Sequence, residues 1–327
     1  MGLFRPLSLL SLGLALSLSV TAAPIRPEDF SRLQALSQEL KIPVSQLQLG
    51  LVKAQFRQPV LDAIQRPWEA KPWSQYRPIF LTPERISAGA VFWQQHAELL
   101  ARAEAQLQVP AQVIVAILGV ETYFGTRMGD HPVLDALYTL GFHYPPRGAF
   151  FSKEFAQYVR LAAEQGWEMS EPKGSYAGAM GMGQFIPSSY LHYAIDFDGD
   201  GHRDLFHNPA DAIGSVANYF HEHNWQLGTP VAHPVKVADE SRVQALLSDK
   251  LEITTDWQQL QAAGVTSDAP LAAETPVKLI RLEGAEGTEY WAVEHNFYVI
   301  TRYNRSPLYA MAVYQLSQAI AQEYHAR

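Results

Sequence analysis

The chain has 327 residues, enough for two or three domains around a sizeable core. Its 47% hydrophobic and 18% charged residues fit an ordinary globular protein, and a net charge of −8 with no run of Lys and Arg argues against a nucleic-acid partner and against adhesion to anionic lipid. Cysteine is absent, so disulfides, thiolate metal sites and a lipidated Cys are excluded.

The first residues read as a targeting segment. Arg5 supplies a weak positive start, and Leu7 to Val20 is an apolar run without an acidic residue. Val20-Thr21-Ala22 offers the small residues that a signal peptidase reads, so cleavage after Ala22 is expected. The other reading is a membrane anchor, but the apolar run is short against the roughly 20 residues of a span. The expected product is a periplasmic protein with no stable membrane anchor, and residues 1–22 are its signal peptide.

Residues 23–104 read as a helical domain. Pro27-Glu28-Asp29-Phe30 starts a helix with acidic residues in its first turn, and Leu33, Leu36 and Leu40 recur at helical spacing. The stretch from Pro59 to Pro83, with Trp68 and Trp73, reads as an irregular wrap. Thr82-Pro83-Glu84-Arg85 then caps a helix through Leu100.

From Val109 to Glu121 the pattern is a helix that is apolar on nearly every side and therefore buried. Glu121 ends it. The nearest charges in sequence are Glu104 and Arg127. A carboxyl in such surroundings loses hydration, so its pKa rises and it holds a proton near neutral pH, as a general acid must. The bland reading is a Glu that leaves the core at a helix end and pairs with Arg127.

The stretch from Gly174 to Tyr190 is unusually rich in glycine, which lets the backbone approach a ligand or adopt positive φ. Ser175 and Gln184 offer hydrogen-bonding groups suited to hydroxyl and acetamido substituents. No Gly-Lys-Ser/Thr follows, so this is not a phosphate loop. Tight packing through small residues is the alternative.

Asp196-Phe197-Asp198-Gly199-Asp200-Gly201-His202 matches the opening of an EF-hand calcium loop, with His202 placed to offer a backbone carbonyl. The loop end departs from the pattern: position twelve is His207, so the closing carboxylate would be Asp211, with Asp204 acting directly or through water. A solvated Asp-Gly turn is the alternative. Calcium here would support structure and not touch substrate.

Residues 229–294 change character. Turn signals surround strand-like runs at Val277–Leu282 and Tyr290–Val293, which predict a hairpin in a small β-containing module. Tyr309 to Tyr324 is helical again.

Several segments together resemble the membrane-bound lytic murein transglycosylase B family. They are Gly119-Val120-Glu121-Thr122, Gly178-Ala179-Met180-Gly181 with Gly183-Gln184-Phe185 and Pro187-Ser188-Ser189-Tyr190, the Asp196 loop, Ala212 to Phe220, and Asn296-Phe297-Tyr298 with Ile300 to Asn304 and Tyr309 to Val313. The resemblance implies a mainly α (α+β) fold. Its lysozyme-like helical core would span residues 105–228 plus 295–327, with a helical N-terminal domain and a small β-containing insert.

It further implies cleavage of the β-1,4 bond between N-acetylmuramic acid and N-acetylglucosamine in peptidoglycan glycan strands, leaving 1,6-anhydromuramoyl ends. By position it makes Glu121 the acid and then the base, and Ser175, Gln184, Phe185, Tyr303, Asn304 and Tyr309 glycan contacts. Arg147 matches a cation that would meet the peptide or lactyl carboxylate, but the family's Arg pair is here Pro146-Arg147, which implies altered recognition of the stem peptide. The family's lipidated Cys is also missing. A hydrolytic muramidase of the same fold and a non-catalytic peptidoglycan-binding protein are the rival readings.

Overall fold

The computed structural model describes residues 26–66, 71–248 and 250–327. The expected signal peptide and Trp68 lie outside the described residues. The fold is mainly helical with a small sheet, and it is organised around the helix Ala111–Thr122, in which every residue from Val113 to Gly119 is buried. That burial is why an all-round apolar sequence is helical here: each face meets a neighbour, so no face needs charge. The long C-terminal helix Pro307–His325 and the helix Pro83–Gln95 pack against it and against each other. The core is thus closed by helices some two hundred positions apart in sequence.

The expected helices at Pro27 and Tyr309 occur as Pro27–Leu40 and Pro307–His325. Two readings need correction. The stretch from Pro59 to Pro83 is largely helical, as Gln58–Ile64 and Trp73–Phe80. Pro59 sits in a first turn, where its missing N–H costs nothing, and Trp73 and Tyr76 bury one face at a spacing of three. The helix that begins after Thr82 does not continue through Leu100. It breaks at His96, whose backbone leaves the helical region, and resumes as Ala97–Leu107.

Among the described residues no single helix is long and apolar enough to cross a membrane. Ala97–Leu107 and Ala111–Thr122 pass by composition only as a pair bent by 115°.

The β-containing part is a five-stranded antiparallel sheet in the order Thr255–Asp256, Pro276–Gly284, Gly287–Val293, Ala232–Val237, Val265–Ser267. Its hairpin joins the two strands foreseen, in register from Lys278 opposite Val293 to Gly284 opposite Gly287. The alternate residues Val277 and Leu279 join Trp257, Leu260 and Val265 in a separate small core.

A short ladder pairs His131–Pro132 with Lys173–Gly174 and brings the segment after Glu121 beside the glycine-rich strip. The approach requires glycine. Gly129 has φ +94, and a Cβ there would lie 2.2 Å from the Gly174 carbonyl oxygen. Gly228 has φ +83 but open space around it. Gly228→Ala should therefore cost only the left-handed backbone penalty of about 1–2 kcal/mol, and Gly129→Ala roughly 3 kcal/mol or more, because backbone must also move. Urea unfolding of the two variants checks this, and equal losses would contradict the close approach.

Candidate active site

Glu121 stands in the last turn of its helix. The helix stops at once because Tyr123 (φ 51), Phe124 (φ 58) and Gly125 (φ 84) follow in the left-handed region. Two consecutive non-glycine residues there store strain of about 1–2 kcal/mol each, which surrounding contacts must offset. Those contacts are visible. The guanidinium groups of Arg85 and Arg127 lie 5.2 and 4.9 Å from the Tyr123 ring centre, and Phe124 stacks on Phe92 at 5.5 Å.

Thr122 ties this turn to the glycine-rich strip. Its hydroxyl donates to the Met182 carbonyl at 2.8 Å and accepts from the Gly125 N–H at 2.9 Å.

The carboxyl of Glu121 has one side-chain partner, the phenol of Tyr309, which donates to Oε1 at 2.5 Å. Arg127 makes no ion pair with it and stacks on Tyr123, so the bland reading of Glu121 fails. Burial pushes the Glu121 pKa up to about 7 from an ordinary 4.5, with the Tyr309 hydrogen bond opposing. The negative end of the helix dipole acts in the same direction as burial. No second carboxylate contributes among the described residues.

Tyr309 opens the C-terminal helix, where Ser306 caps its N–H. Burial first, and then the nearby Glu121, raise its own pKa well above 10.0, so it stays a hydrogen-bond donor at every working pH.

The glycine-rich strip is a folded loop and not a packed helix. Gly174 bridges Met180, and Met180 exchanges both backbone hydrogen bonds with Phe185. Ser175 shapes it by accepting from the Ala177 and Ala179 N–H groups at 3.2 and 3.0 Å. Gln184 has φ 51, and its amide donates to the Met128 and Gly181 carbonyls at 3.1 and 3.0 Å. Tyr303 donates to the Gly183 carbonyl at 2.5 Å and is close enough to Glu121 for that charge to raise its pKa, after burial. Ser175, Gln184, Tyr303 and Tyr309 thus belong to one assembly with Glu121.

Two expected glycan contacts and the cation expected to meet the peptide or lactyl carboxylate stand differently. Phe185 is buried, with its ring against Tyr219 and Tyr303, so it supports the strip and offers no face to a sugar. Tyr309 is buried too and meets Glu121 itself. Arg147 is exposed on the turn before Gly148–Gln165, over the Phe150 and Phe151 rings at 4.6 and 4.9 Å, and no interaction ties it to Glu121 among the described residues. Asn304 ends the helix His295–Tyr303 and accepts from the Ser306 N–H at 2.8 Å. Tyr219, not singled out from sequence, meets Tyr303 edge to face at 4.7 Å and donates to the Arg302 carbonyl at 2.6 Å.

The acidic loop lies between the helices Pro187–Tyr193 and Pro209–Glu222. Carboxylate oxygens of Asp196, Asp198 and Asp211 come within 4.8 Å of one another. Asp200 and the carbonyl-bearing His202 are on the same loop outside that triad, and His207 turns to Asp204 at 3.2 Å. Asp211 is fully buried. Burial raises its pKa, the Asp204 and Phe197 N–H groups lower it, and Asp198 and Asp196 raise it again. Three converging carboxylates with one buried form a hard oxygen donor set, which suits a divalent cation.

This geometry has counterparts. The model of the transglycosylase SLT domain family matches residues 27–318. Membrane-bound lytic murein transglycosylase B of Escherichia coli K12 is 46% identical over 249 residues, which are 76% of this chain and 67% of that protein. The solved structure of catenated lytic transglycosylase SltB1 from Pseudomonas aeruginosa has a TM-score of 0.85 at 46% identity, covering 91% of this chain and 98% of that one. Escherichia coli lytic transglycosylase Slt35 in complex with calcium has a TM-score of 0.80 at 41% identity, covering 91% and 93%. With a helical core, a small sheet and a match over most of its length, the chain belongs to the lytic murein transglycosylases, the peptidoglycan-cleaving enzymes that carry the transglycosylase SLT domain.

Proposed function

We propose that Glu121 alone carries the chemistry, as acid and then base, in cleaving the β-1,4 bond between N-acetylmuramic acid and N-acetylglucosamine. The observation behind this is a half-buried carboxyl at the end of an apolar helix, pKa about 7, with one phenol for a partner. Ordinary glycosidases divide the work between two carboxylates. Here Tyr309 engages Oε1, which leaves Oε2 to carry the mobile proton.

In the first step that proton goes to the bridging oxygen while the bond from C1 to it breaks. The substrate's N-acetyl carbonyl supports the cationic C1. In the second step the Glu121 carboxylate takes the proton of the same sugar's 6-hydroxyl, and the oxygen closes on C1. The result is a 1,6-anhydromuramoyl end, the acid is restored and no water is consumed. Ser175, Gln184, Tyr303 and Asn304 orient the sugars, and Phe185 and Tyr309 hold the parts that do so.

The acidic loop is read as a structural calcium site with Asp196, Asp198 and Asp211 as carboxylate ligands and Asp200 and the His202 carbonyl as loop donors. The converging carboxylates support this, as does the calcium complex of the relative Slt35. The charge on the ion would relieve repulsion between groups that otherwise oppose each other's ionisation. The domain division follows the sequence reading: a helical region to about residue 104, a core in two pieces, and the β-containing insert at 229–294. Export by the leader at residues 1–22 to the periplasm, as a protein without a lasting membrane anchor, completes the proposal.

Glu121→Gln should reduce glycan cleavage by roughly 10²–10⁴-fold while glycan binding persists. Lysis by the wild type should fall as pH rises through about 7, because the initial acid is then ionised. The same shift sets a sign for stability. A raised folded pKa means that no penalty exists below 4.5, that it grows up to about 7, and that it is constant above. Glu121→Gln should therefore be more stable than wild type above pH 7, by up to about 3 kcal/mol, and equal to it in acid. Undiminished cleavage by the variant contradicts the assignment.

For the metal site, calcium added to chelated protein should raise the melting temperature, with a gain of about 2.7 kcal/mol at a hundred times the dissociation constant. Asp211→Asn should abolish the response. An unchanged melting temperature in the wild type counts against the site.

A further inference from the structure

Glu154 is a buried carboxyl that the chemistry at Glu121 does not use. It stands in the helix Gly148–Gln165 and is only 5% exposed, with Phe151, Tyr158 and Leu161 on the same buried side. A Leu would fill such a position without the cost of burying a charge. The two oxygens instead take both donors of one residue. Oε2 accepts from the Ser188 N–H at 2.9 Å, and Oε1 from the Ser188 hydroxyl at 2.7 Å. That suits an ionised carboxyl, which accepts at both oxygens and donates at neither.

Ser188 lies in the first turn of the helix Pro187–Tyr193, whose N-cap, Ile186, makes no side-chain cap bond. Its N–H has no partner within the helix, so Glu154 caps this helix from another one. The capped turn follows the glycine-rich strip directly. Phe185 exchanges both backbone hydrogen bonds with Met180, and the Gln184 amide donates to the Met128 and Gly181 carbonyls. Further along the capped helix, Tyr190 accepts from the Leu205 N–H. The Glu154–Ser188 contact therefore anchors the strip at its end. We propose that Glu154 is a positioning residue, whose ionised carboxyl holds the strip in the shape that orients the glycan at Glu121. This role rests on the glycan-cleaving function proposed for Glu121.

Burial pushes the Glu154 pKa above the ordinary 4.5, and the Ser188 N–H and hydroxyl oppose that rise. The charged groups on the elements packed against its helix are engaged elsewhere. Glu28 and Asp29 pair with Arg26, Glu39 with Lys153, Lys53 with Glu168, and Asp135 with Arg57. Arg32 donates to the Gly141 carbonyl, Tyr190 to that of Arg203, and Arg147 lies over Phe150 and Phe151. Tyr138 and His143 meet ring to ring, as do His192 and Tyr193. Burial and Ser188 alone govern the ionisation of Glu154.

Two variants of the calcium-loaded full chain separate this role from simple helix capping. Glu154→Gln can accept from the Ser188 N–H and donate to its hydroxyl, but it does not titrate. Glu154→Leu removes both bonds. On peptidoglycan, Glu154→Leu should raise KM about tenfold and lower kcat by less, because Glu121 and Tyr309 stand on other elements. Acid leaves Glu121 protonated, so a single acid gives no acid limb of its own. The wild type should nevertheless lose kcat/KM as acid protonates Glu154, at a pH above 4.5, and Glu154→Gln should keep it. The fall through about 7 belongs to Glu121 and should persist in both. A carboxyl that only caps a helix would change the melting temperature and leave KM and the pH profile alone. An acid limb that persists in Glu154→Gln, a wild type without one, or an unchanged KM in Glu154→Leu overturns the proposal. If Glu154→Leu does not fold, the Glu154→Gln profile decides. Calorimetric binding of a peptidoglycan oligosaccharide to Glu121→Gln, with and without Glu154→Leu, reads the same positioning without turnover. It should weaken about tenfold, and equal affinity overturns the proposal. A wild type that cleaves no glycan would contradict the chemistry at Glu121, while this binding comparison would still read Glu154.

Discussion

The hydrogen bond from the Tyr309 phenol to the Glu121 carboxyl is the constraint on which the remaining geometry depends. An acid at the end of an apolar helix is costly to ionise, since burial and the helix dipole both disfavour its charge. Left without a partner it would turn to solvent or to Arg127. The phenol fixes one oxygen, leaves the other without a side-chain hydrogen bond among the described residues and moderates the pKa to about 7. It can do so only because the C-terminal helix packs along the Glu121 helix, with Ser306 setting the first turn from which Tyr309 projects. The final segment of the chain is thus part of the site, although the acid lies 188 residues earlier.

From Thr122, next to Glu121, hydrogen bonds joined through adjacent residues lead to the acidic loop. Thr122 donates to Met182, the Met182 N–H to Leu205, the Leu205 N–H to the Tyr190 hydroxyl, and the Asp204 N–H to Asp211. Each link uses a backbone N–H or C=O, and those at Met182 and Leu205 belong to buried residues, whose polar groups need partners. The path couples the acidic loop to the turn that follows Glu121. An ordered loop holds Leu205, Leu205 holds the strip at Met182, and the strip holds the turn after the acid. The strained pair Tyr123 and Phe124 is fixed at the other end by Arg85, Arg127 and Phe92.

Much of this was legible in the sequence because it rests on local patterns. An apolar run ending in a lone Glu, alternating Asp with Gly, and a hairpin between two strand-like runs all carry their signal within about a dozen residues. What escaped depends on distant neighbours. Nothing near Phe185 distinguishes a sugar platform from a core ring, and its burial is decided by Tyr219 and Tyr303. Tyr309 gives no local sign that it faces an acid. The proline-rich stretch was misread because Pro59 in a first turn looks like a breaker until Trp73 and Tyr76 are seen to be buried.

The fate of water tests the central claim most directly. Purified peptidoglycan digested in heavy-oxygen water and analysed by mass spectrometry should yield fragments with 1,6-anhydro ends, each lighter by one water than a hydrolysis product and free of the label. Reducing ends carrying heavy oxygen would show that water, and not the sugar's own hydroxyl, completes the reaction at Glu121.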